Sequence, residues 1–248
     1  MSAEASGGEP CGAIEVVAKE RILTVTLANS PDNRLTPGMV EGLAQALDRF
    51  ESDDLDVLVI AGSKRVFSKG FDVEVLKSRD TSDLRPLLVL CNAIFSRIAR
   101  SPKLTLAAIS GACLGGGLEL AMACHLRVCA EKSRLGLPEV WINLIPGLGG
   151  FYRLARLVGA AKALELVALG DLLTAEEALR LNIVSRVFPQ DDFTERVASF
   201  VSALTAANRK VIREVLRLAA CSESRGEEEN ICQATDSFVE LWSCLPKT

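Results

Sequence analysis

Histidine occurs once in these 248 residues, tyrosine once and tryptophan twice. With aromatics at 5% of the chain, aliphatic side chains must fill the core. The scarcity of histidine also weakens any metal reading of the cysteines. Cys11, Cys91, Cys113, Cys124, Cys129, Cys221, Cys232 and Cys244 form no C-x-x-C pair, so neither a zinc knuckle nor a disulfide framework is expected. Several lie in apolar runs, where a free thiol acts as a small hydrophobe, and a reduced, cytoplasmic setting follows. Basic residues are not in excess. The net charge of −4 argues against a nucleic-acid protein, which needs a basic face. No apolar run reaches the roughly 18 residues of a bilayer-spanning helix, so no membrane association is expected. The start, MSAEASGGEPCGA, lacks the charged and apolar regions of a signal peptide; residues 1–12 read as a disordered leader.

What remains is a chain long enough to bury a large core. Ile14–Val17 and Ile22–Leu27 read as a β-hairpin, and 29–33 as a turn cluster. Thr36 suits an N-cap with Pro37 behind it, and Met39, Leu43, Leu47 and Phe50 recur at helical spacing. Asp56–Ala61 and Leu104–Ile109 are continuous apolar runs, as for strands covered on both faces. Gly62–Phe71 reads as a loop, with a helix starting near Asp72. A second helix is expected over Asp83–Arg100, with Leu87, Leu90, Cys91, Ile94 and Ile98 on its buried face. Leu118–Cys124 reads as helix and Leu126–Ala130 as strand. Beyond residue 149 the pattern is helical, interrupted by a short strand at Val184–Val187. No internal repeat is visible. The alternation predicts a layered α/β domain.

The chemistry concentrates between Ser110 and Leu154. Two glycine clusters, 115–117 and 147–150, each have a glutamate nearby, Glu119 and Glu139, in apolar surroundings. Such carboxyls have raised pKa values, which suits acid–base work near neutral pH. A strand, a glycine turn and a helix start present free N–H groups to an anion. On spacing alone the glycines fit tight packing better than an anion site. No G-K-[ST] or G-x-G-x-x-G spacing supports a nucleotide phosphate. A second loop–helix junction, before Asp72, offers a companion N–H, and two such donors make an oxyanion hole.

Four stretches in order, FSKGFD (67–72), GACLGGGLELAMACHLRV (111–128), LPEVWINLIPGLGGFYRL (137–154) and LTAEEALRLNIVSRV (173–187), resemble the enoyl-CoA hydratase/isomerase (crotonase) family. The resemblance runs from about Ile14 to the last helix. It implies a crotonase-like spiral of ββα units over residues 13–190, with a helical C-terminal trimerisation region over 191–248. It implies a homotrimer or a dimer of trimers. The amides of Phe71 and Gly116 would form the oxyanion hole for a thioester carbonyl. Glu119 and Glu139 would deprotonate a water and protonate the α-carbon, and Gly147 would help hold that water. The substrate would be an enoyl-CoA thioester, with coenzyme A part of the substrate and no metal or redox cofactor. Retention of both glutamates favours hydratase over double-bond isomerase.

Several residues depart from the family pattern. Glu74 stands where such enzymes often carry a lysine facing the coenzyme A phosphates, with Lys69 and Lys77 as candidate substitutes. Phe71 is large where alanine is common, and with Trp141 and Phe151 it implies an altered acyl pocket; Tyr152 and Asn143 lie close by in sequence. His125 replaces a common aspartate, which raises a Ser–His–Asp hydrolase as a minor reading. The chain ends at Thr248, ahead of the family's usual final segment, from which an open adenine end or an acyl-carrier-protein thioester is expected. A non-catalytic binding module is the other alternative; the acidic charge and the two glutamates count against it.

Overall fold

The computed structural model describes residues 9–11, 13–77, 80–222 and 225–245. Its framework is two sheets joined by a repeated path. In the larger sheet the order is β1 (Glu9–Cys11), β2 (Ile14–Lys19), β3 (Ile22–Leu27), β4 (Val57–Ala61), β6 (Leu104–Ile109), β8 (Leu126–Ala130) and β11 (Arg186–Phe188). The smaller sheet runs β10 (Leu172–Thr174), β9 (Arg134–Gly136), β7 (Ala112–Leu114) and β5 (Val66–Ser68). From β4 the chain passes to β5, then to α2 (Val73–Lys77) and α3 (Thr81–Ala99). It then runs from β6 to β7 to α4 (Gly116–Ala123), and from β8 to β9 to a 3-10 turn at Pro138–Ile142. The strands β4, β6 and β8 are parallel to one another, as are β5, β7 and β9. Each circuit therefore adds one strand to each sheet and a helical segment outside, which is the expected spiral of ββα units.

Local chemistry explains the first elements. β2 and β3 pair antiparallel from Ile14↔Leu27 to Lys19↔Ile22. Thr36 Oγ1 accepts from Met39 N at 3.3 Å and Pro37 opens α1 (Pro37–Ser52), which buries Met39, Leu43, Leu47 and Phe50. β4 and β6 are nearly wholly buried and separate two apolar clusters. The larger holds α1, α3 and α4. The smaller lies under α8 (Phe193–Thr205), which contributes Phe193, Val197 and Val201.

The structure corrects several expectations. The stretch read as loop over 62–71 contains β5, and β7, β9 and β10 also went unread; strands of three residues are too short to display alternation. Leu90 is 46% exposed. It is adjacent to Cys91 and so lies about 100° round the helix from it; Phe95 fills the core instead. The last strand sits at Arg186–Phe188, whereas Ile183 and Val184 are a buried plug before it. In the leader, Glu9–Cys11 pair with β2, and residues 1–8 and 12 lie outside the described residues.

The connecting helices α5 (Gly150–Val158), α6 (Ala160–Leu169) and α7 (Ala175–Arg180) follow the spiral. A capping box between Thr174 and Glu177 starts α7. At the end, α9 (Arg209–Cys221) buries no residue and α10 (Glu227–Ser243) buries Ser237. Val215, Ile231, Phe238, Val239 and Trp242 are all more than half exposed. No helix among the described residues is long and apolar enough to cross a membrane.

Candidate active site

The first wall of the site is the loop between β5 and α2, and a turn distant in sequence shapes it. Asn33 Nδ2 donates to the carbonyls of Val66 (3.0 Å) and Phe67 (3.2 Å). Ser68 Oγ donates to Asn33 O at 2.7 Å and accepts from Gly70 N at 3.1 Å. Leu35 N donates to Gly70 O at 2.9 Å, and Arg34 Nη1 donates to Phe71 O at 3.2 Å. The residues 29–33, read from sequence as a simple turn, thus form with Arg34 and Leu35 the cradle of this loop.

The cradle sets Gly70 against α4. Gly70 has φ +82°, and a Cβ there would lie 2.9 Å from Gly116 N. Side chains larger than hydrogen are excluded by contact as well as by conformation. At Gly117 a Cβ would sit 2.5 Å from Ser68 O. This close packing brings the Phe71 segment beside Gly116, the first residue of α4. Neither Phe71 N nor Gly116 N donates to a protein acceptor among the described residues. Two unengaged amides at the meeting of a loop and a helix start can receive an anionic oxygen.

Glu119, one turn into α4, is 2% exposed. Its Oε1 accepts from Leu148 N at 2.7 Å and from Gly150 N at 2.8 Å. These donors belong to the second glycine cluster. Gly149 between them is left-handed, with φ +81°, and the alternation of backbone hands turns both N–H groups to one side, as in an anion-binding nest. A Cβ at Gly150 would be 2.8 Å from Glu119 Oε1, so the glycine admits the carboxylate. Burial pushes the Glu119 pKa up to about 7, against the lowering effect of the two amides; the Glu139 charge raises it further and Arg153 lowers it.

Glu139 stands at the start of the 3-10 turn, its Oε1 3.0 Å from where a Cβ on Gly115 would be. Its Oε2 is buried without a hydrogen-bond partner among the described residues, and burial raises its pKa. Both carboxyls thus lie near the head of α4, close enough for the charge of Glu139 to raise the pKa of Glu119, and burial pushes each toward its protonated form. A pair of carboxyls that retains one proton can offer an acid and a base together.

The other expected residues fall nearby with differing environments. Gly147 is exposed, with nothing within 4 Å of where a Cβ would be, and its carbonyl accepts from Asn92 Nδ2 at 3.2 Å. Phe71 is half-buried on the larger core, Phe151 is 41% exposed, and Trp141, 74% exposed, lies over Gly170 at the end of α6. Of the candidate lysines, Lys77 pairs with Glu74 at 2.9 Å and Lys69 with Asp32 at 2.8 Å. His125 is occupied structurally: its Nδ1 accepts from Thr105 N at 3.2 Å, and its own N donates to Thr105 Oγ1 at 2.9 Å. Burial lowers its pKa. These contacts give no support to a serine hydrolase triad. Among the described residues no group of three or more His, Cys, Asp or Glu is placed to hold a metal. A cavity of about 820 Å³ opens on the other side of the larger sheet, between Val59, Ala61 and α8, away from both glutamates.

Sequence reading missed Arg34, Asn92 and Arg153. Each holds a backbone carbonyl of a site loop; the carbonyls that Arg34 and Asn92 bond are distant in sequence, and the one that Arg153 bonds lies in an irregular turn, so none leaves a spacing signal.

Residues 17–242 match the family described as enoyl-CoA hydratase/isomerase. A probable enoyl-CoA hydratase of Bacillus subtilis is 42% identical over 175 residues, 70% of this chain and 68% of that protein. A peroxisomal fatty acid beta-oxidation multifunctional protein of Arabidopsis thaliana is 33% identical over 86% of this chain, which spans 30% of the plant protein's length. The crystal structure of an enoyl-CoA hydratase from Thermoplasma volcanium superposes with a TM-score of 0.87 at 28% identity, covering 94% of this chain and 93% of that one.

Proposed function

The chain belongs to the enoyl-CoA hydratase/isomerase family, and on that premise we propose that it is a hydro-lyase adding water reversibly across the α,β double bond of an enoyl-CoA thioester in fatty acid metabolism. The observation that carries this reading is the tie between Glu119 and the amides of Leu148 and Gly150, with the charge of Glu139 near enough to act on it. It draws both glycine clusters and both carboxyls to one place.

In the proposed step the thioester oxygen lies between the amides of Phe71 and Gly116. One carboxylate takes a proton from water as the water oxygen bonds to the β-carbon. The π electrons move toward the carbonyl and form an enolate, which the two amides stabilise; one such donor is worth about 10²–10³ in rate. The partner carboxyl delivers its proton to the α-carbon. A proton then passes between the carboxyls to restore the pair. Every proton and electron pair is supplied by water, substrate and protein groups, so the scheme calls on no metal or redox cofactor. Gly147, beside the nest, is the proposed support for the attacking water, and Phe71, Trp141 and Phe151 the proposed shapers of acyl preference.

We further infer self-association as a homotrimer or a dimer of trimers. Support comes from the apolar faces that α9 and α10 leave uncovered, which a second copy would bury. The cytoplasmic placement rests on the free cysteines at 91, 113, 124 and 129 in the core.

The test is loss of enoyl-thioester absorbance over a panel of chain lengths, with matched coenzyme A and carrier-protein thioesters. Turnover of the coenzyme A series is expected, with Glu119→Gln and Glu139→Gln each losing most of it while the oligomer persists. Near-normal hydration by Glu119→Gln sinks the two-carboxylate assignment. Isomerisation of a 3-enoyl substrate outrunning hydration replaces hydratase by isomerase, and absence of both turnover and thioester binding leaves a non-catalytic module.

A further inference from the structure

We infer that Arg153 is the positioning residue for Glu119: it holds the peptide between the two donating amides and sets its positive charge against the carboxylate they bind. This rests on the reading of Glu119 as an acid–base group. Three successive peptide units cross the recess. The units ending in Leu148 N and Gly150 N point their N–H groups at Glu119 Oε1, at 2.7 and 2.8 Å. The unit between them points its carbonyl, Leu148 O, the other way, and Arg153 Nη1 donates to it. Without that donor the middle carbonyl is a half-buried acceptor with no other partner among the described residues, and a flip of this peptide would swing it toward the carboxylate.

The reach of the side chain is built into the turn. Arg153 lies in the first turn of α5, its own N–H donating to Gly149 O at 2.9 Å. Its guanidinium folds back over Gly149, where a Cβ would be 2.6 Å from Nη1. Gly149 is therefore required twice, by its φ of +81° and by the arginine lying on it. The charged and titratable groups that act on Glu119 are Arg153 from α5, Glu139 from the 3-10 turn and Cys91 from α3. Arg153 is the cation of that set. Its own pKa is lowered by burial, the cost of holding a guanidinium there, and Glu119 offsets part of it. Arginine alone offers a fixed fork that can bond a carbonyl while keeping its charge at any working pH.

Titration of the Glu119 carboxyl tests the inference without depending on turnover. Its ¹³C carboxyl resonance, identified by its loss in Glu119→Gln, is followed against pH in wild type, Arg153→Gln and Arg153→Lys. Arg153→Gln should move the midpoint upward by about one pH unit, a tenfold change in the protonation equilibrium. The ascending limb of kcat/KM for crotonyl-CoA should move by the same amount, with KM held within about twofold. Arg153→Lys keeps the charge but not the fork, so its midpoint should stay near that of wild type while kcat falls about fivefold. An unmoved Glu119 midpoint in folded Arg153→Gln overturns the inference. Should that variant not fold, an unchanged kcat in Arg153→Lys overturns it instead. A shifted midpoint in a protein that hydrates no enoyl thioester, wild type included, keeps Arg153 in this role and removes the hydratase reading.

Discussion

The two loops that meet at α4 are held by different forces. The loop through Gly70 and Phe71 is fixed mostly by contact and by neutral hydrogen bonds: Asn33 and Ser68 supply an amide and a hydroxyl, Gly70 and Gly117 leave room for no side chain, and charge enters only at its rim, where Arg34 donates to Phe71 O and Lys69 pairs with Asp32. The loop through Leu148 and Gly150 is fixed by charge, with a buried carboxylate on one side and a guanidinium on the other. A site that must receive an oxyanion gains from rigid amides that cost no reorganisation. A site that must move protons needs groups whose charge can change, and burial keeps Glu119 close to that balance. Stability and chemistry therefore pull together at the first loop and apart at the second.

The largest expected effect breaks the second loop's chemistry while strengthening its fold. Glu119→Gln should lose about 10²–10⁴ in kcat, the usual worth of an acid–base group. Its amide oxygen can still accept from Leu148 N and Gly150 N, so the nest keeps its partner. The stability change has a definite sign. The wild-type carboxyl titrates at about 7 when folded, raised above the ordinary 4.5 by burial. Its ionisation therefore opposes folding as pH rises through that window, by about 3 kcal/mol as an upper bound. Glu119→Gln should equal wild type near pH 4 and exceed it above pH 7, as read by urea midpoints at each pH. Lower stability of the variant at pH 8 would mean that the bonds of the ionised carboxylate to the two amides outweigh the cost of burying it, and would overturn this sign.

Next comes Gly117→Ala, aimed at the first loop. Its methyl would enter the Ser68 backbone at 2.5 Å, and overpacking of this kind costs about 1–3 kcal/mol. Thermal melting and hydration should fall together, since the same displacement moves the Phe71 amide. Arg34→Met removes the donor to Phe71 O and should reduce kcat by about tenfold, the effect of a net 1.4 kcal/mol in the transition state, with a melting point little changed. The smallest effect is expected of Gly147→Ala. Nothing lies within 4 Å of the added methyl, so stability should stay within about 0.5 kcal/mol. A large loss of hydration in that stable variant would sharpen the proposed place of Gly147 beside the water.

Much of this was legible in the chain. The N-cap at Thr36, the hairpin of β2 and β3, the buried runs of β4 and β6 and the glycine–glutamate clusters are all carried by neighbouring residues, and neighbours are what periodicity and capping rules read. His125 was legible as a departure but not as a structural residue, because its partner Thr105 lies on the adjacent strand. The same limit hid the short strands, since three positions cannot separate a period of two from chance.

By itself the sequence determined the inventory: two carboxyls in apolar settings, glycines where backbones must approach, and cysteines and aliphatics enough for a core without many aromatics. Only the tertiary structure decided the partnerships. Glu119 meets the amides of Leu148 and Gly150 across 29 and 31 residues, and Asn33 meets the Val66 and Phe67 carbonyls across 33 and 34. Such bonds join a side chain to backbone groups that every residue carries. Backbone amides are the same in any sequence, and only the path of the spiral selects which ones face the carboxylate.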